Sequence, residues 1–109
     1  MARAATTGTI RAQSQEQRLW ALQRANTIRV ERSRLKKDLA AGRVPITEVL
    51  SQPPAFVDTE RVAVLLLAVP TYGPARVSKL LARERISETK RLGALTDRQR
   101  QALIRRFQD

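Results

Sequence analysis

The chain has 109 residues, of which 42% are hydrophobic and only 4% aromatic, and 21 basic against 10 acidic residues give it a net charge of +11. That length allows one small domain with a modest core, built from Leu, Val, Ile and Ala in a composition that favours helices. Cysteine and histidine are both absent, which removes disulfides, the commonest metal ligands and the usual general base, so neither an enzyme nor a cofactor is expected.

Residues 1–13 show no periodicity and carry Thr, Gly and Ala, the pattern of a flexible N-terminal tail. From Ser14 the pattern changes. Ser14 and Gln17 have capping-box spacing, and Ala21, Ala25, Ile28, Leu35 and Leu39 then fall on one helical stripe with Leu22 beside it, until Gly42 supplies a stop. One long basic helix is predicted over residues 14–42, about 28 residues or roughly 42 Å at 1.5 Å per residue. Trp20 lies next to the stripe and is expected to pack on the core. The other faces carry Arg18, Arg24, Arg29, Arg32, Arg34, Lys36 and Lys37 against Glu16, Glu31 and Asp38. A solvated polar face is the ordinary reason for such a run, but three acids are too few to pair it off. Arg29, Arg32 and Lys36 are therefore candidate phosphate contacts.

Residues 43–109 form the second part, a helical core. Thr47 is placed to cap a short helix through Glu48, Val49 and Leu50, which Pro53 and Pro54 end. Asp58 or Thr59 can cap the next helix, through Val62, Leu65, Leu66 and Val69, which is apolar around most of its circumference and so should be central and buried. The chain then turns through Pro70, Thr71, Tyr72 and Gly73, and a helix opens at Pro74, a residue suited to the first helical position, with Val77, Leu80 and Leu81 as its buried stripe. Gly73 can adopt backbone angles closed to other residues and lets a ligand come close. Free N–H groups at a helix start, together with the positive end of the helix dipole, bind anions. Gly73, Ala75 and Arg76 are the candidate amides, with Arg76 and Lys79 as adjacent cations.

After Ile86, Ser87 is placed to cap a single turn carrying Lys90, Arg91 and Leu92, and Gly93 closes it. Thr96 and Gln99 repeat the capping-box spacing before a last helix with Leu103, Ile104 and Phe107 inside. Helix, two short turns, helix is the order, and Lys90, Arg91, Arg98 and Arg100 gather in sequence around the second connection. Periodicity leaves open whether the flanking helices pack antiparallel or cross steeply.

Charge is unevenly spread. Residues 1–43 hold 10 basic and 3 acidic residues, residues 44–69 hold 1 and 3, and residues 70–109 hold 10 and 4. Two basic arms around a near-neutral middle raise the encounter rate with polyanions and supply non-specific nucleic-acid affinity through counterion release. The longest apolar run, Val62 to Val69, is far short of the roughly 20 residues that cross a bilayer, and no signal peptide is visible. A cytoplasmic protein without a membrane partner is expected.

The segment VAVLLLAVPTYGPARVSKLL, followed at matching distances by TKRL, GAL, DRQRQAL and the terminal RRF, resembles the actinobacterial type of integration host factor. The basic helix ahead of it and the ITEVL segment fit the same family. The resemblance implies an all-α fold in which a long N-terminal helix packs on a small helix-two-turns-helix core. It also implies a nucleoid-associated protein that binds duplex DNA with little sequence preference, bends or compacts it, and supports site-specific integration, with an integrase on the same DNA as a further partner. Carried over to this chain, the phosphate-binding turn falls at Gly73 with Arg76 and Lys79 after it, and the basic pair of the two-turn region falls at Lys90 and Arg91. Gly93 departs from the family pattern, which places another basic residue after the leucine, and Arg98 is the candidate substitute.

Binding of this kind fixes a duplex by its phosphates without reading sequence, and an apolar wedge can widen a base step. Pro70 and Tyr72 are the candidate wedges. A helical protein bound to RNA or the ribosome is the alternative, disfavoured by the small number of aromatic residues for base stacking. An adaptor for an acidic protein partner is a third reading. A monomer is the expected state.

Overall fold

The computed structural model describes residues 2–108, and the side chains of residues 14–108. Every regular element is helical: α1 (Ala2–Ala40), α2 (Ile46–Ser51), α3 (Val62–Leu67), α4 (Pro74–Arg83) and α5 (Asp97–Gln108), with 3-10 turns at Ala55–Val57 and Leu92–Ala94. No strand occurs among the described residues, and none of their helices is long and apolar enough to cross a membrane. The chain divides into two units, Met1–Glu31 and Arg32–Asp109.

The first unit is the leading part of α1. Ser14 is a helical residue inside α1 rather than its cap, because the alanine-rich residues ahead of it extend the helical propensity backward. The flexible tail expected over residues 1–13 lies outside the residues whose side chains are described. Leu19, Trp20 and Leu22 are about 60% exposed, Ala21 and Ala25 are exposed, and Ile28 is half-buried. The stripe expected to be buried along the whole helix, and Trp20 with it, is therefore open in this unit; a stripe that long exceeds what a small core can cover. Trp20 instead carries the Arg24 guanidinium 5.5 Å from its ring centroid.

The second unit holds the core. α1 contributes Leu35 and Leu39, both buried, and then stops at Gly42, whose φ of 76° is the left-handed conformation a helix end favours. Gly42 N–H donates to Leu39 O (3.2 Å) and Arg43 N–H to Asp38 O (2.9 Å), the paired bonds of a Schellman motif. α4 ends in the same way, with Arg85 N–H to Ala82 O (3.1 Å) and Ile86 N–H to Leu81 O (2.8 Å). Here the left-handed position is an arginine, Arg85, with φ 58°. Ile46, Val49 and Leu50 of α2 pack toward α5, α3 packs on α4, and Leu65, Leu66, Leu81, Leu92 and Leu103 are essentially without solvent exposure.

Two helix starts differ from expectation. The N-cap of α2 is Pro45, with φ −74° and ψ 142°, and not Thr47, since the proline ring presets the backbone for entry into the helix. The N-cap of α3 is Arg61, and neither Asp58 nor Thr59 caps it. Its first amide is taken by distant backbone: Val62 N–H donates to Lys90 O and Leu92 N–H to Glu60 O, both at 2.9 Å, the antiparallel bridge of Arg61 with Arg91. α3 also ends at Leu67 rather than Val69 because Ala68 N–H to Leu65 O and Val69 N–H to Leu66 O, each 3.1 Å, tighten the chain into the turn. The predicted Thr96–Gln99 box is formed in full, with Gln99 N–H to Thr96 Oγ1 at 3.1 Å and Thr96 N–H to Gln99 Oε1 at 3.0 Å.

Candidate nucleic-acid interface

At the start of α4, Pro74 occupies the first turn and no side chain caps it. Val77 N–H returns to Gly73 O at 3.0 Å, but among the described residues no acceptor takes the N–H groups of Gly73, Ala75 or Arg76. These amides belong to exposed residues, and unclaimed N–H groups at a helix N-terminus attract an anion. Gly73 does not use the conformational freedom expected of it. Its φ of −84° and ψ of 176° are extended backbone open to any residue, and a Cβ there would meet nothing within 4 Å. The left-handed residue of the turn is Thr71, φ 70°, an uncommon place for a β-branched side chain.

Side chains brace this turn. Arg76 Nη1 reaches back to Thr71 O (3.4 Å) and Oγ1 (3.3 Å), and its guanidinium lies 4.0 Å from the Tyr72 ring centroid. Tyr72 in turn meets Phe107 of α5 at 4.8 Å between centroids, tilted by 42°. Tyr72 is thus half-buried in a stack, whereas Pro70 is exposed. Beside the stack lies a cleft of about 220 Å³ lined by Tyr72, Arg76, Lys79, Leu80, Arg83 and Arg106.

The second connection lies elsewhere. Through the bridge to Arg61 it sits at the start of α3, while the Gly73 turn follows the end of α3, so α3, a helix of six residues, lies between the two candidate groups. Lys90 is half-buried, and Arg98 is exposed. Arg91 donates from Nη1 to Thr59 O. Gly93 sits inside the 3-10 turn rather than closing it, and its N–H donates to Asp58 O at 2.8 Å. An added Cβ would lie 3.1 Å from that oxygen and 3.3 Å from Asp58 Cβ, which accounts for a glycine where a basic residue was expected.

Other predicted contacts already have partners in the fold. Arg32 donates from Nε to Phe56 O (2.7 Å) and from Nη2 to Thr59 Oγ1, and Lys36 Nζ pairs with Glu60 at 3.2 Å. Arg100 Nη1 donates to Leu50 O (3.2 Å), which ties α5 to α2. Arg29, in the first unit, is exposed. Arg83 and Arg106, which the motif reading passed over, face the cleft with Arg76 and Lys79. The signal was present: positions 76, 79 and 83 share one face of a helix.

Residues 39–107 match the S13-like H2TH domain family, so the matched region spans α2 to α5 and only the last residues of α1. Two relatives named integration host factor align over 94 residues, 84% of this chain and 90% of theirs: that of Mycobacterium tuberculosis at 35% identity and that of Mycolicibacterium smegmatis at 34%. The chain belongs to the integration host factor family. A solved structure of another such protein, sIHF bound to an 8-base-pair palindromic DNA, superposes with a TM-score of 0.73 at 29% identity, covering 78% of this chain and 98% of that one. The helix-two-turns-helix order of this family member, read from α3 to α5, is the expected one.

Proposed function

We propose that this chain is an architectural protein of the nucleoid that grips duplex DNA by its phosphates with little sequence preference, bending or compacting it. The observation that carries this is the α4 start, where three unclaimed amides stand beside Arg76 and Lys79; the DNA in the sIHF structure adds weight. Lys90, in the segment bridged to the start of α3, and Arg98, exposed in the first turn of α5, supply a further phosphate contact. Arg29 adds charge from the first unit, while Arg32, Lys36, Arg91 and Arg100 act mainly by holding the fold that presents the others. Neither group reads bases, so any preference arises from deformability of the DNA. Support of site-specific integration follows from the same role, with an integrase acting on DNA that this protein has shaped.

The test is duplex affinity as a function of salt. If six to ten phosphates are neutralised, affinity falls by about three to five decades between 50 and 200 mM salt, and a flat response removes the phosphate mechanism. Competition by structured RNA at equal nucleotide concentration should be weaker than competition by duplex DNA. The reverse order would favour an RNA target.

A further inference from the structure

We infer that the cleft between α4 and α5 is an additional phosphate site for the DNA strand met by the α4 amides, in which Arg83 and Arg106 take the neighbouring phosphate. This rests on the duplex-binding reading above and extends it to residues outside the helix start.

The geometry comes first. Arg76, Lys79 and Arg83 stand at i, i+3 and i+7 on α4, a stripe about 10 Å long, and Arg106 faces it from α5. Tyr72 and Leu80 complete the lining, and the volume of about 220 Å³ has room for several waters and therefore for a tetrahedral oxyanion with part of its sugar.

Electrostatics point the same way. Four cations line the cleft and no carboxylate does. Among the described residues the ion pairs involve Arg32, Lys36 and Arg43 only, so none of the four is paired. Like charges at helical spacing destabilise a helix, a repulsion that an anion between them relieves. Arg83 and Arg106 also lie in the last turns of their helices, where cations complement the dipole, but Arg76 and Lys79 do not, and the dipole does not require all four to converge.

The wall is fixed in advance. Phe107 supports Tyr72 and Tyr72 supports Arg76, so the start of α4 and the end of α5 are held together, and little side-chain ordering remains to be done on binding. Arg76 contributes both an amide to the helix start and a guanidinium to the cleft. That shared residue favours a continuous strand over an isolated ion.

The experiment compares wild type, R83Q, R106Q and the double variant with R105Q, matched in charge to each single variant, at a residue that lines the adjoining hollow with Glu84 and Arg106 and not the cleft. Duplex affinity is measured from 50 to 200 mM salt. The double variant should lose about 0.9 from the slope of log affinity against log salt, one phosphate's share, so that its affinity falls about 3.5-fold less than wild type across that range, with an unchanged melting temperature. R105Q should keep the wild-type slope. A double variant whose slope equals that of R105Q overturns the proposal while duplex binding itself stands; wild-type protein that ignores duplex altogether overturns the broader reading and this one with it. Titration with inorganic phosphate, followed through the Arg Nε–H resonances, separates the sources: saturable binding with an unaltered duplex slope would assign the cleft to a free phosphate and also refute the strand site.

Discussion

Replacing Gly93 with alanine should lower stability, whereas the same change at Gly73 should not. The new methyl at position 93 would sit 3.1 Å from Asp58 O and 3.3 Å from Asp58 Cβ, so Asp58 must retreat by a few tenths of an ångström. Its freedom to do so is small. Asp58 O accepts from Gly93 N–H (2.8 Å), Asp58 N–H donates to Ala55 O (3.2 Å), and the bridge bonds Val62 to Lys90 and Leu92 to Glu60 flank the contact. Overpacking of this kind costs about 1–3 kcal/mol, and the reduced freedom of the unfolded chain returns about 0.4–1 kcal/mol, which leaves a net loss of about 0–2.6 kcal/mol, centred at about 1.3. For a domain of this size each kcal/mol moves Tm by about 4–8 °C, so thermal unfolding followed by circular dichroism resolves the effect. At Gly73 the backbone is extended and nothing lies within 4 Å of the added carbon, so the unfolded-state gain of about 0.4–1 kcal/mol offsets the poorer N-cap that alanine makes, and the variant should melt close to wild type. G93A melting with or above wild type, or G73A losing as much as G93A, would refute the reasoning.

Other consequences can be checked with the same assays. Arg85→Gly removes a left-handed arginine at φ 58° and should gain about 1 kcal/mol in urea denaturation, since only glycine tolerates that conformation without cost. Arg32→Ala removes bonds to Phe56 O and Thr59 Oγ1 at a part-buried guanidinium and should lose about 1–3 kcal/mol, with little change in the salt slope of duplex binding. Lys79→Gln should do the opposite, keeping Tm and lowering the slope by about 0.9. Tyr72→Leu takes away the ring beneath Arg76 and should weaken duplex binding several-fold with the slope intact, while Tyr72→Phe should bind as wild type does.

Features governed by neighbours in sequence could be read in advance. The order of helices from α3 to α5, the Gly42 stop and the Thr96–Gln99 box all follow from local spacing, and the structure contains them. The starts of α2 and α3 could not be read in this way, because proline geometry set one and the carbonyl of Lys90, 28 residues away from Val62, set the other. Glycine was a good guide at position 42 and a poor one at position 73: the strained turn residue is Thr71, and Gly93 is small because Asp58 crowds it. Charge counts pointed toward a polyanion but not to which cations have partners within the fold, since Arg32 and Lys36 meet Glu60 only after the chain has folded back on itself. Arg83 and Arg106 converge with Arg76 only when the end of α5 is brought to α4 across the cleft.

The antiparallel bridge between Arg61 and Arg91 carries a kinetic corollary. α3 has six residues, too few to persist as an isolated helix in water, and its opening amide is satisfied only by a carbonyl from the far side of α4. A transition state in which residues 90–93 have not yet docked would leave α3 unconsolidated, and the expected signature is that substitutions at Val62 accelerate unfolding more than they slow refolding. Amide protons of Val62 and Leu92 should exchange with solvent at a common rate, opening and closing as one unit.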